Sequence, residues 1–161
     1  MHSATRLALP VAAIFFIATA AVQSASAAPH DDACALLTDA QVSAALSAPV
    51  GAGSYQMPKF KKTCTWNSTG DAAKGAKSVV LMLEGLDAYQ AGKATRQSKT
   101  TSVTPISGIG DDAYYLAVGS NVGLIVKKRD VAFKVAVYST LPVEKKQTME
   151  KALAQQIVSK L

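Results

Sequence analysis

Asp111 and Asp112 stand side by side in Gly108-Ile109-Gly110-Asp111-Asp112-Ala113, directly ahead of Tyr114 and Tyr115. Two carboxylates can serve as an acid/base pair or grip a hard cation, and two tyrosines can stack on a ligand. The run also fits the letters G-x-G-x-x-A of dinucleotide-binding turns, but its context contradicts that reading. A strand pattern follows where a helix N-terminus is needed, and the aspartates would face a pyrophosphate that wants backbone donors. In extended chain, neighbouring side chains point to opposite faces. The aspartates therefore do not converge as the paired acids of a glycoside hydrolase must, and a single cation contact is the remaining metal chemistry for either. Lys127, Lys128 and Arg129 form a second short basic run, able to attract an anion. Asp111, Asp112, Tyr114, Tyr115, Lys127, Lys128 and Arg129 together make the candidate binding surface, with no catalytic residue and no cofactor expected.

Nucleophilic catalysis lacks its parts. His30 and His2 are the chain's two histidines, and no serine begins an S-x-x-K motif. Cys34 and Cys64 are the only cysteines, so one pairing is available to them. Two thiols and a nearby His30 fall short of a four-ligand zinc set. A disulfide is expected, worth about 3 to 4 kcal/mol in the chain-entropy picture. The other basic groups, Lys59-Phe60-Lys61-Lys62 and Lys145-Lys146, are short and scattered. They read as solvated surface, with hairpin-tip lysines blunting sheet edges, rather than as a nucleic-acid stripe.

The elements that must position these residues lie behind an address segment. Arg6, an apolar run over residues 7 to 22, and Ala25-Ser26-Ala27 have the order of a secretory signal peptide, cut after Ala27. The run is short for a membrane span, so none is expected after cleavage. Much of the chain's 49% hydrophobic content sits in this segment, and its removal takes Arg6 from the +6 formal charge. Residues 28 to 161 are then of ordinary globular polarity, enough for one domain with one core.

Thr38 and Gln41 have capping-box spacing, with Leu37 and Val42 as a hydrophobic staple, so a helix runs to about Ser47 before Pro49 and Gly51. A helical turn over residues 34 to 37 precedes it. Residues 48 to 60 read as loop with a short strand near Tyr55. Thr63-Cys64-Thr65-Trp66 alternates, placing Cys64 and Trp66 on one face. Residues 78 to 84 read as a strand buried on both sides. Asp87 is placed to cap a second helix running to about Gln97, and residues 100 to 104 are extended up to Pro105. Residues 113–118, 122–128 and 131–139 form a meander. A last helix after Pro142 presents Met149, Ala152, Leu153, Ile157 and Leu161, with Lys145, Lys146, Glu150, Lys151 and Gln155 decorating the rest. This order predicts an α+β fold: a mainly antiparallel sheet of five to six strands packed on two to three helices.

Cys34-Ala35-Leu36-Leu37-Thr38, Cys64-Thr65-Trp66 and Gly108-Ile109-Gly110-Asp111-Asp112-Ala113-Tyr114, followed by the 131–137 strand and a terminal helix, span nearly all of residues 28–161. In this pattern the chain resembles a family of small exported bacterial proteins and lipoproteins of unknown function, similar in style to extracellular sensor domains of bacterial receptor kinases. The chain lacks the lipid-attachment cysteine of the lipoprotein members. The resemblance implies an exported α+β domain and no catalytic residues. The expectation is a secreted or periplasmic, non-catalytic envelope-binding or sensor-like protein, with an anionic envelope polymer or another exported protein as partner. A small exported enzyme or enzyme inhibitor is the alternative.

Overall fold

The computed structural model describes residues 31–70, 75–95 and 97–161. The signal segment and its cleavage point lie outside the described residues. The described chain is α+β, as expected, but with four helices and a single seven-stranded sheet in place of two to three helices and five to six strands. The edges are β1 (Ser54–Met57), at the short strand expected near Tyr55, and β4 (Thr101–Ile106), at the run expected to be extended; with both paired into the sheet the count reaches seven. β4 continues through Pro105, where the extended run was expected to end. An edge strand tolerates a residue without an N–H.

The sheet is two antiparallel meanders fused side by side. β1, β2 (Phe60–Asn67) and β3 (Ser78–Glu84) form the first; β4, β5 (Asp112–Val118), β6 (Asn121–Lys128) and β7 (Val131–Tyr138) form the second. β3 pairs antiparallel with β7, giving the order β1-β2-β3-β7-β6-β5-β4. The fused registers put the 57–60 turn, Glu84, the 129–130 turn and Asp112 at one end of the sheet. Asn67, Ser78, Tyr138 and Asn121 lie at the other.

One face carries the main core. Trp66, Val79, Leu81, Leu124, Val126, Phe133, Val135 and Val137 meet Leu36, Val42, Leu46, Leu153 and Ile157 from α1 (Ala33–Leu36), α2 (Asp39–Leu46) and α4 (Val143–Val158). The Thr38–Gln41 capping box is present in both directions, and Ser47 closes α2 in the left-handed region. Cys34 and Cys64 are joined as expected, tying α1 to β2 with Cα atoms 5.1 Å apart. Trp66 packs beside this bridge and donates its indole N–H to Asp39 Oδ1 at 2.9 Å. Gly53 is glycine here by necessity, since a Cβ would fall 2.6 Å from Trp66 Nε1 and 3.0 Å from Cys64 Sγ.

The second face is covered only in part. α3 (Leu86–Lys93) lays Tyr89 over Tyr114, Ile125 and Ala132, with the two tyrosine rings 5.3 Å apart. This helix begins at Gly85 with no side-chain cap, so Asp87 sits inside its first turn rather than capping it. It ends at Lys93, short of Gln97. β3 is likewise buried on one face only: Val79, Leu81 and Leu83 are covered, whereas Met82 is exposed.

Candidate functional site

The structure distributes the seven residues of the candidate surface over three separate environments. Tyr114 and Tyr115 follow one another in β5 and so face opposite sides, and both sides are covered there. Tyr114 is 1% exposed and donates its hydroxyl to the Tyr89 carbonyl at 3.0 Å. Tyr115 is 9% exposed and donates to the Gln147 carbonyl of α4 at 3.0 Å. Burial pushes each phenol up to about 12, so both stay protonated donors.

The aspartates are turn fasteners. Asp111 accepts the backbone N–H of Arg129 at 2.6 Å and the Lys128 ammonium at 2.9 Å, which hold its carboxyl below the usual range in that order. The contact pins the β6–β7 turn, where Arg129 adopts φ 55°. Arg129 Nη1 in turn donates to the Leu161 carbonyl at 2.6 Å. Asp112 points to the other face and pairs with Lys93 of α3, whose ammonium is the main cause of its lowered pKa. The buried Tyr89 hydroxyl faces the same carboxyl and helps to lower it, although the two do not meet at full hydrogen-bond geometry. Lys127 follows the Asp112 register on that second face. No group of three or more His, Cys, Asp or Glu side chains among the described residues is placed to hold a metal ion.

The basic runs around residues 59–62 and 127–129 reach the same end of the sheet, but acids interlace them. Lys61 bridges Asp32 at 3.3 Å, Lys62 pairs with Asp31, and Lys128 pairs with Asp111. Asp32 also receives the Tyr55 hydroxyl at 2.8 Å. Burial alone would raise the Asp32 carboxyl, and Tyr55 with Lys61 more than offsets it.

Two buried charged residues were assigned by sequence reasoning to the solvent side of α4. Glu150 is 0% exposed and Lys146 is buried one turn before it. The β6–β7 ladder ends at Leu124↔Val135, and Val137, two residues further on, gives its N–H to Glu150 Oε1 at 2.9 Å. Lys146 Nζ caps the β5–β6 turn through the Ser120 carbonyl at 2.6 Å. Burial is the main cause pushing Glu150 up to about 8, against the pull of the Val137 N–H and the Lys146 and Lys134 charges. Its Oε2 has no partner among the described residues. The signal that could have found this pair is the spacing Lys146, Glu150, Leu153, Ile157, itself an unbroken helical stripe.

What remains open is the second face beyond α3. There Met82 of β3 is exposed and Val80 and Lys134 are half-buried, whereas Ala136 of β7 and Thr63 of β2 in adjoining registers are covered and the Thr65 hydroxyl is buried without a hydrogen-bond partner among the described residues. Met82 is 37% and Tyr138 43% exposed. The Lys134 stem lies over Gly123, where a Cβ would fall 2.7 Å from its Cε. Its ammonium makes no ion pair within 4 Å among the described residues. At the far end the patch runs into a depression of about 380 Å3 lined by Asn67, Ser78, Tyr138 and Thr140. A second groove of about 330 Å3, between α2 and α4 and floored by Ala44, Ala45 and Ala152, holds no titratable group.

Fold and site thus define an α+β, disulfide-tied domain with a half-open antiparallel sheet. Compared with known families, curated proteins and solved structures, the chain matches none of them.

Proposed function

We propose that this chain is an exported, non-catalytic binding protein of the bacterial cell envelope, sensor-like in its build and acting in the periplasm or outside the cell. It holds an exported partner protein against the open part of its second sheet face. The observation that carries this reading is Lys134, whose ammonium makes no ion pair within 4 Å among the described residues and stands beside the exposed Met82, with half-buried Glu84 the acid on that face that feels its charge. An exposed apolar side chain beside an ammonium fits a protein segment that presents apolar side chains and one carboxylate. A polyanion would want a row of free cations, and at the sheet end Lys61, Lys62 and Lys128 are matched by acids. The Cys34–Cys64 bridge suits an oxidising compartment.

Photo-crosslinking tests the reading in the producing cells, with benzoylphenylalanine at position 82 and, as control, at Val118, which is also exposed but at the opposite end of the sheet. The expected result is one discrete, protease-sensitive adduct at position 82 that Lys134→Glu abolishes. An equal yield at both positions would overturn the reading, and a protease-resistant adduct would transfer it to an envelope polymer.

A further inference from the structure

Among the described residues few large apolar side chains are exposed, and two of them face each other at one hairpin tip. Met57 of β1 and Phe60 of β2 are cross-strand partners, 57% and 46% exposed, joined through Pro58 and Lys59. Sheet registers place this tip at the same end as the exposed Leu86, which follows β3 at the start of α3. Lys59 stands between the two apolar side chains and pairs with no acid among the described residues. The next two lysines are tied to Asp32 and Asp31.

Those two ion pairs also say where the chain enters the domain. Asp31, the first described residue, is held by Lys62 three positions from Lys59. Exposed apolar side chains flanked by lysine are what a protein needs to rest on a charged bilayer. The apolar groups enter the headgroup boundary, and the ammonium stays among the phosphates. A soluble polyanion would recruit the lysines and leave Met57 and Phe60 in water.

We infer that the β1–β2 hairpin tip is a membrane-contact element, through which Met57 and Phe60 enter the surface of an anionic bilayer with Lys59 at the lipid phosphates. The inference rests on the hairpin and is separate from the open sheet face, so either can fail without the other.

Every described element lies in residues 31–161, so the chain from Ala28 is the form to test, with its disulfide intact. The probe is a vesicle of phosphatidylcholine with about one-third phosphatidylglycerol, against phosphatidylcholine alone, read by co-sedimentation. Met57→Ser with Phe60→Ser should lower partitioning at least about tenfold, and Lys59→Glu about threefold, with melting temperature unchanged at these exposed sites. Phe60→Trp gives an independent reading. Trp66 is the chain's one tryptophan and is buried, so an emission blue shift on adding vesicles reports the tip alone. An unshifted Phe60→Trp spectrum, or serine variants that bind as wild type, overturns the inference. So does binding equally strong to dextran sulfate.

Discussion

Glu150 and Val137 are joined by a hydrogen bond of 2.9 Å between a fully buried carboxylate and a strand N–H. The strand pair that would have used this N–H stops two residues earlier, at Leu124↔Val135. An unpaired N–H there would cost about 1 to 3 kcal/mol, so a polar side chain from α4 is the natural filler. The carboxylate brings its own cost, because burial disfavours its charge and Oε2 is left without a partner.

This pairing sets a pH dependence. Glu150 holds its proton in the folded chain up to about pH 8, whereas the unfolded chain releases it near 4.5. Between those values the folded state binds more protons, so this stability is complete below pH 4.5 and lost as pH rises to about 8. Lys146 and Lys134 oppose the shift, and Tyr115, protonated throughout, does not titrate in this window. Glu150→Gln keeps an acceptor for Val137 and removes the titration. Urea unfolding from pH 5 to 9 should show the variant gaining at least about 2 kcal/mol on the wild type. Parallel curves would mean that Glu150 does not titrate in the window.

The Cys34–Cys64 bridge closes a loop of sequence separation 30 and anchors α1, a helix of only four residues, to β2. Replacing both cysteines with serine should lower unfolding free energy by about 3 kcal/mol. Denaturant unfolding monitored by Trp66, which packs beside the bridge, measures it. A loss under about 1 kcal/mol would show that α1 and the core hold together without the tie.

Gly92 lies inside α3, where alanine normally stabilises a helix by about 1 kcal/mol. Here a Cβ would come 2.3 Å from the Tyr114 hydroxyl that bonds the Tyr89 carbonyl. Gly92→Ala should therefore lower the melting temperature, by an overpacking cost of about 1 to 3 kcal/mol. Tyr114→Phe removes the clashing oxygen, so in that background Gly92→Ala should be neutral or stabilising. Additive losses in the double variant would place the glycine requirement elsewhere.

Features made by neighbours in sequence were legible before any fold was known. The Thr38–Gln41 capping box, the Cys34–Cys64 pairing, the alternation of β7 and the β5-β6-β7 meander each depend on residues a few positions apart or on a pairing with no alternative. Lys146 and Glu150 were misplaced because charged residues ordinarily face water. Nothing local announces that Val137 and Ser120 will present unpaired backbone groups at those points. Tyr114 and Tyr115 read from the sequence as stacking groups of a binding surface. Only the docking of α3 on one face and α4 on the other decided that both would be buried.

The sequence by itself determined the class of the domain, its tie and most of its strands, because hydrophobic period, turn chemistry and cysteine count act over short range. The tertiary structure alone decided which sheet edges pair, which charges are buried and which face stays open. Those outcomes depend on segments far apart in the chain competing for the same surface. Hence Asp111 became a turn fastener, and Met82, Lys134 and Tyr138 were left facing outward.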